Sequence, residues 1–308
     1  MKKFVIHGIL GLLLVFFFDL GIGRVLEYYY FKQESGFQHR TTISMDETNA
    51  DILVFGSSRA NHHYNPDVFI NSLNKTFYNT GRDGNFIFYQ TAVLKSILRR
   101  YKPKLILYDF SGKFSYVQED YDRLSSLLPY YRKHREIRDI VNLRSSFEPL
   151  KNLSSIYPYN STLANIVIGN SNLGKKGKKG YVSLMGEWNE PLNEHKSIDK
   201  YEVDENKLAI FNEFLDLCKR NDIPLLVFVS PVFYTYDKDY SITLCKQICN
   251  EKNIPFYDFT KDERFLKSPQ LFDDKEHLND SGAKLYSKIT LNIIRQQLNM
   301  SNLINEEF

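Results

Sequence analysis

Five short apolar segments, each followed by a segment of helical periodicity, constrain the fold of this chain most strongly. The apolar segments predict buried β-strands because they are short, largely apolar and bounded by turn residues. They are residues 51–56, 76–79, 104–110, 224–230 and 255–259. Helices are predicted at residues 65–73, 87–101, 208–218, 240–250 and 280–298. Strands that alternate with helices predict an α/β three-layer sandwich, in which helices cover both faces of a five-stranded parallel sheet.

The N-terminal segment is apolar enough to cross a membrane. Residues 4–20 read FVIHGILGLLLVFFFDL, and the apolar character continues to about Gly23. About 20 helical residues span a hydrocarbon core of about 30 Å. Lys2 and Lys3 precede the segment, which favours a cytoplasmic N-terminus. A cleaved signal peptide is the alternative, but no A-x-A-like cleavage site follows, so an uncleaved signal anchor is favoured.

The anchor divides the chain into two predicted parts. Residues 1–33 form a cytoplasmic stub, the transmembrane helix and a juxtamembrane segment, and residues 34–308 form one domain outside the cytoplasm. Within that domain, residues 115–200 interrupt the alternation of strands and helices and contain the sequence GKKGKKGY at 174–181. This insertion is either a solvated surface excursion or a lid over a substrate cleft, because aromatic residues and cations suit an anionic or carbohydrate ligand. Its clustered lysines also suit anionic lipid head groups. They are Lys175, Lys176, Lys178 and Lys179.

Composition excludes several classes of protein. Lys and Arg number 40 against 37 Asp and Glu, so no large basic excess indicates a nucleic-acid partner. The three cysteines are too few for a disulfide framework or a four-cysteine zinc site. The adjacent His62 and His63 point to different sides of the chain, and packing or substrate contact is favoured over a metal site. No metal or cofactor is predicted.

Two turn segments follow the first two predicted strands. Gly56-Ser57-Ser58-Arg59 follows the first, and residues 79–85, which read NTGRDGN, follow the second. Ligands bind outside the carboxyl ends of the strands in such sheets. A serine on a tight glycine turn is exposed and has backbone N–H groups near its oxygen. Each segment by itself is more typical of an ordinary turn.

A third segment, residues 274–279 with the sequence DKEHLN, stands immediately before the last predicted helix. Asp274 and His277 are close enough for the carboxylate to bind Nδ1–H, which leaves Nε2 free to take a proton from a serine. Asp273 is the alternative acid, and a helix-capping cluster is the alternative to a catalytic pair. A late Asp-x-x-His together with an exposed serine after the first strand favours nucleophilic catalysis.

These three segments together resemble the SGNH (GDSL-type) hydrolase superfamily, which has a flavodoxin-like sheet. The resemblance extends over about residues 51–298, and its most specific part is the stretch DKEHLNDSGA at 274–283. The anchored form is similar to the bacterial cell-surface branch that handles acyl groups on polysaccharides and teichoic acids. The resemblance implies that Ser58, rather than Ser57, is the nucleophile, with His277 and Asp274 as its partners.

The resemblance also implies an oxyanion hole formed by the N–H groups of Ser58 and Gly84. Four further residues near the motifs are expected to contact the substrate: Arg59, Arg82, Asn85 and Lys113. One departure from the family affects the oxyanion hole, because the family's third block, Gly-x-Asn-Asp, is replaced by DFSGK at residues 109–113. Loss of one such donor costs about 2.7–4 kcal/mol in a transition state. Arg82 or Lys113 is a substitute donor, or the site is slow or specialised for transfer.

We therefore expect a membrane-anchored serine acyl-ester hydrolase or O-acyltransferase of the cell envelope. Its expected substrate is an acylated carbohydrate or polysaccharide, handled by a Ser-His-Asp triad without a cofactor. The alternative is a catalytically inactive envelope protein of the same fold that binds a polysaccharide or an assembly partner. The missing Asn of the third block favours that alternative.

Overall fold

A five-stranded parallel sheet forms the centre of the protein. The structure is a computed structural model, and it describes residues 1–171, 173–174 and 177–300. The strands of this sheet are β1 (Ile52–Gly56), β2 (Phe77–Asn79), β3 (Leu105–Asp109), β4 (Leu225–Val229) and β5 (Phe256–Asp258). Their order is β2-β1-β3-β4-β5, and every neighbouring pair is parallel. This confirms the predicted sheet.

The helices follow the predicted pattern between the strands. The α-helices are α1 (Lys2–Phe31), α2 (Gly36–Thr42), α3 (Ser58–His63), α4 (Pro66–Leu73), α5 (Ile87–Leu98), α6 (Gln118–Asp122), α7 (Arg138–Asn142), α8 (Glu148–Lys151), α9 (Leu163–Asn170), α10 (Glu205–Arg220), α11 (Tyr240–Glu251), α12 (Glu263–Leu266) and α13 (Asp280–Met300). Short 3₁₀ segments occupy Arg123–Tyr130, Arg135–Ile137, Tyr157–Thr162 and Pro269–Leu271, and Ile43–Glu47 is a π-helix. A small second pairing joins Asn193–Glu194 to Tyr234–Thr235.

Helices cover both faces of the sheet because successive strand residues point to opposite sides. Val54 of β1 belongs to a core cluster that also contains Phe69 of α4 and Tyr286 of α13. Its neighbour Phe55 packs on the other face, where its ring lies 5.2 Å from that of Phe214 in α10. The predicted three-layer sandwich is therefore confirmed.

The register of the sheet brings the carboxyl ends of its central strands together. Gly56 of β1 is paired with Asp109 of β3, and Asp109 is paired in turn with Phe228 of β4. The segments that follow these strands consequently start side by side at one edge of the sheet. This edge is where ligands bind in open parallel sheets.

The chain divides into two compact units. One consists of residues 1–43 and 118–176, and the other of residues 44–117 and 177–308, which contains the sheet. The predicted domain bounds, at residues 1–33 and 34–308, stay a prediction. Among the predicted lysine cluster, Lys175 and Lys176 lie outside the described residues, and Lys178 forms a 2.7 Å ion pair with Asp67.

Helix α1 is the candidate membrane span. Among the described residues it is the one helix that is both long and apolar enough to cross a bilayer, with 30 residues and a window of mean hydropathy 2.3 that is not buried. At 1.5 Å per residue this length exceeds a hydrocarbon core of about 30 Å. Beyond that window, Tyr30 is buried and packs on Tyr130 and Tyr159 of the same unit.

Candidate active site

Ser58 stands at the point where β1 turns into α3. Gly56 makes this turn with φ +149°, a conformation that favours glycine. A Cβ at this position would lie 2.5 Å from Cβ of Ala60 and 2.7 Å from the carbonyl oxygen of Asp109. Ser57 is the N-cap and half-buried Ser58 is the first residue of α3. The turn therefore directs Ser58 to the carboxyl edge of the sheet and gives it the N–H of a first helical turn.

His277 and Asp274 reach the same edge from the other end of the chain. Nε2 of His277 lies 2.7 Å from Oγ of Ser58. Nδ1 of His277 lies 2.9 Å from Oδ2 and 3.0 Å from Oδ1 of Asp274. With Nδ1–H donated to the carboxylate, Nε2 is the unprotonated nitrogen and accepts the hydrogen bond of the serine hydroxyl. The structure thus brings together the three residues that were predicted to act jointly.

The Asp274 carboxylate is stabilised in its charged form. Partial burial raises its pKa, but hydrogen bonds from the His277 ring and from the backbone N–H groups of Glu276 and His277 outweigh burial, and the pKa of Asp274 lies below its usual value of 3.8. Asp274 therefore stays ionised at neutral pH beside the imidazole. Asp273, the alternative acid, accepts instead a hydrogen bond from the N–H of Gly186 at 2.6 Å.

A cleft of about 330 Å³ opens beside Ser58. Its lining combines aromatic and cationic side chains with small residues and with the acids Asp239 and Glu276. The lining includes Gly84, Phe86, Phe110, Lys113, Lys196, Tyr234 and Tyr236. Such a mixture of apolar surface and a few polar groups is typical of a small-molecule site.

The predicted substrate-binding residues divide into two pairs. Arg59 and Lys113 line the cleft. Arg59 is fixed in place because its guanidinium donates to the carbonyl oxygens of Phe110 at 2.9 Å and Ser230 at 3.3 Å. Arg82 packs over the ring of Tyr89, and Asn85 donates to the carbonyl of Asp83; neither belongs to the lining.

His195, Lys196 and Ile198 line the cleft too, although sequence reasoning did not single them out. His195 stacks on Tyr234 with ring centroids 4.1 Å apart, and its N–H donates to the carbonyl of Thr235. This pairing brings Lys196 and Ile198 into the lining. Part of the predicted insertion at residues 115–200 thus forms a wall of the cleft, in line with the substrate-cleft alternative. The interleaving of cations with aromatic residues was the sequence signal for it.

His63 positions the catalytic candidate His277 through the backbone. It is fully buried, and its Nε2 accepts a 2.9 Å hydrogen bond from the N–H of Leu278. Burial lowers the pKa of His63 well below 6.5, and electrostatic interactions with the neighbouring His277 and Arg59 side chains lower it further. His63 is therefore neutral, as an acceptor at Nε2 requires. The adjacent His62 contacts Asp83 instead, at 3.3 Å.

Asp109 is a buried acid beneath the site that sequence reasoning did not predict to be functional. Its oxygens accept hydrogen bonds from Tyr64 at 2.6 Å and Ser230 at 3.1 Å. Burial raises the pKa of Asp109 to about 6, even though the charge of Arg59 lowers it. Asp109 is the last residue of β3 and the first residue of the DFSGK segment at 109–113.

Comparisons with known proteins give only distant similarities. No known protein-family model matches the sequence, and no curated protein matches it. The structure of a candidate acylhydrolase from Bacteroides fragilis is similar with a TM-score of 0.39 and 13% identity, over 84% of this chain and 94% of that chain. That of a GDSL-like lipase from Bacteroides thetaiotaomicron has a TM-score of 0.40 and 10% identity, over 84% and 98%. Neither similarity is close enough to assign an activity.

Proposed function

We propose that this chain is a serine acyl-ester hydrolase or O-acyltransferase of the SGNH (GDSL-type) kind. The observation that carries the proposal is the contact of 2.7 Å between Ser58 Oγ and His277 Nε2, with Asp274 on the opposite nitrogen. A nucleophile, a base and an orienting acid in this arrangement are the groups that catalyse acyl transfer through a serine hydroxyl.

The chemistry proceeds in two halves. Ser58 Oγ attacks the acyl carbonyl carbon while His277 Nε2 takes the hydroxyl proton, and the ionised Asp274 stabilises the resulting imidazolium. The tetrahedral intermediate collapses as His277 returns the proton to the leaving oxygen, which leaves the acyl group on Ser58. Water or an acceptor hydroxyl then attacks the ester, gives its proton to His277, and the proton returns to Ser58. The second nucleophile decides between hydrolysis and transfer.

Backbone donors are proposed to stabilise the oxyanion. The N–H of Ser58 belongs to the first turn of α3, and Gly84 lines the same cleft. A helix N-terminus favours negative charge, which supports this role. Lys113 also lines the cleft and is our candidate for the donor that replaces the family's Asn.

The substrate is proposed to be an acylated carbohydrate or polysaccharide outside the cytoplasm. Tyr234 and Tyr236 in the cleft suit stacking on sugar rings, and Lys113 and Lys196 suit an anionic substrate. Helix α1 would anchor the enzyme, with Lys2 and Lys3 on the cytoplasmic side. The catalytic domain would then act on the cell envelope.

The decisive experiment is covalent labelling by a fluorophosphonate. We expect the full-length wild type to be labelled and the Ser58→Ala variant to lose labelling together with ester hydrolysis, by about 10³-fold or more. Ser57→Ala is the matched control, because this neighbouring serine makes no side-chain cap hydrogen bond and is expected to keep labelling.

Equal labelling of wild type and Ser58→Ala contradicts the proposal. Absence of labelling in the folded wild type, combined with polysaccharide binding that survives Ser58→Ala and His277→Ala, favours instead the inactive envelope protein.

A further inference from the structure

Three exposed apolar side chains lie on one helical stretch of the unit that contains α1. Phe147, Leu150 and Leu153 are 63%, 65% and 73% exposed. Helical hydrogen bonds from the N–H of Lys151 to the Phe147 carbonyl and from that of Leu153 to the Leu150 carbonyl run through the stretch. Residues three apart are neighbours on a helix surface, so the three side chains form one apolar face. We call residues 147–153 the apolar turn.

The apolar turn ends where the chain is fixed to α1. Asp19 of α1 accepts hydrogen bonds from the hydroxyl of Ser154 at 2.5 Å and from the N–H of Ser155 at 2.6 Å. Four residues further along α1, Gly23 packs against Ser155 so closely that no Cβ would fit. The two residues that directly follow the apolar turn, Ser154 and Ser155, thus lie beside residues 19–23 of α1.

Residues 19–23 of α1 coincide with the expected boundary of the bilayer. A hydrocarbon core of about 30 Å takes up about 20 helical residues, so a span that starts near Phe4 ends near Gly23. Other contacts of the unit lie further along the chain, since Asn170 of α9 donates to the carbonyl of Tyr29 near the end of α1. The N–H of Glu34, just after α1, donates to the carbonyl of Gly169. The apolar turn is therefore at the end of the unit nearest to the membrane.

The charge around the apolar turn suits lipid head groups. Glu148 is fully buried and forms ion pairs with Arg144 and Lys151. The side chain of Lys151 is 39% exposed. Arg132 donates to the carbonyls of Asn152 and Leu153. Basic side chains that flank an apolar face are typical of surfaces that lie in the bilayer interface.

We propose that the apolar turn inserts Phe147, Leu150 and Leu153 into the interfacial layer of the bilayer that α1 crosses. The occupant of this face is lipid, because the chain meets α1 at the expected membrane boundary directly after the face and because the face has basic neighbours. This contact would fix the unit at a defined height on the membrane. The inference rests on α1 crossing the membrane and is independent of the catalytic proposal.

The test is quenching of tryptophan fluorescence by brominated phospholipids, with the full chain in nanodiscs that contain anionic lipid. Single tryptophans are introduced by Leu153→Trp, by Phe16→Trp within α1, and by Val167→Trp, and the wild-type signal of Trp188 is subtracted. Val167 is the matched control because it is 69% exposed in the same unit, on the helix that lies beside Tyr29. We expect severalfold stronger quenching at positions 16 and 153 than at 167, and Leu150→Trp repeats the measurement at a second site.

Quenching at 153 and 150 no stronger than at 167 overturns the inference, whether the face is exposed to water or covered by a second copy of the chain. Lack of quenching at position 16 removes its premise, the membrane span, and also overturns it. Neither outcome bears on fluorophosphonate labelling of Ser58, so failure here is distinguishable from failure of the proposed enzyme activity.

Discussion

Asp109 is a fully buried carboxyl group near the site that lies close to both a cation and two hydroxyl groups. Arg59 is the nearby cation, and Tyr64 and Ser230 donate the hydrogen bonds. Burial disfavours the charged form more than these partners favour it, which is why its pKa is raised to about 6. The acid thus changes charge in a range where exposed carboxylates are already ionised.

This raised pKa predicts a pH-dependent stability. The folded state keeps the Asp109 proton up to about pH 6, whereas the unfolded chain loses it near 3.8. The free energy of unfolding should therefore fall as pH rises through that window, by up to about 3 kcal/mol relative to the Asp109→Asn variant, which has no charge to bury. Urea denaturation of both proteins between pH 4 and 7 measures the difference. A difference that stays constant over this range contradicts the prediction.

The two adjacent acids Asp273 and Asp274 are expected to differ sharply in function. Asp274→Asn removes the charge that stabilises the imidazolium and allows the wrong tautomer, so kcat for p-nitrophenyl acetate should drop by about 10³–10⁴-fold. Asp273→Asn is the control, because the Asp273 carboxylate accepts a hydrogen bond from the Gly186 N–H, whereas the ring of His277 is hydrogen-bonded to Asp274. Similar losses in both variants would show that neither acid has the specific orienting role.

At the scale of elements, the turn between β1 and α3 determines where the nucleophile lies. The turn depends on Gly56, whose positive φ and close contacts with Ala60 and Asp109 leave no room for a side chain. The N-terminus of α4 is set locally in the same way, since Asn65 caps it by accepting the N–H of Asp67 and Pro66 occupies its first turn. The glycine turn before α3 and the N-cap of α4 are both specified by residues adjacent in sequence.

Gly56→Ala is therefore expected to destabilise the protein by about 1–3 kcal/mol, as overpacking does, and to reduce labelling of Ser58 by displacing α3. The stability control is Gly112→Ala, where a Cβ would meet only ordinary contacts with Phe86, from 3.5 Å outward. That variant should change the free energy of unfolding by less than about 0.5 kcal/mol. Equal effects of the two substitutions in urea denaturation would contradict the role assigned to the turn.

At the scale of the whole molecule, the first part of α1 and its last turns differ in their surroundings. Its first part is the candidate span, and its last turns belong to the core of the unit in which Tyr30 packs on Tyr130 and Tyr159. The same helix is therefore a candidate anchor and a packing element of its unit.

Two truncations test the candidate span and the packed end of α1 separately. Removal of residues 2–17 keeps Asp19 and Tyr30, and we expect a protein that is washed from membranes without detergent and keeps Ser58 labelling. Removal of residues 2–31 also deletes buried Tyr30, which should destabilise its unit by about 3–5 kcal/mol. Hydrogen exchange of residues 118–170 measures this loss. If the shorter truncation stays in the membrane fraction through an alkaline wash, α1 is not the anchor.

Much of the fold could be predicted because its signals are local. All five predicted strands of the sheet occur within two residues of their expected bounds, and the helix predicted to end near Tyr101 ends at Leu98. Periodicity, caps and turns depend on residues close in sequence, which a single sequence displays directly. The proximity of Ser58, Asp274 and His277 was expected only through the motifs and the family they resemble.

Sequence patterns are sufficient to predict the strand–helix alternation, the apolar N-terminal helix and the identity of the candidate triad. Only the packing of distant segments brings Nε2 of His277 to Ser58, which is 219 residues away in the chain. The same packing forms the hydrogen bond between His63 and the N–H of Leu278 and buries Asp109 beneath the site. Packing also brings His195, Lys196 and Ile198 into the lining of the cleft. The physical reason is that burial and hydrogen bonding between distant segments depend on how elements pack, and packing is set by the whole chain rather than by any local pattern.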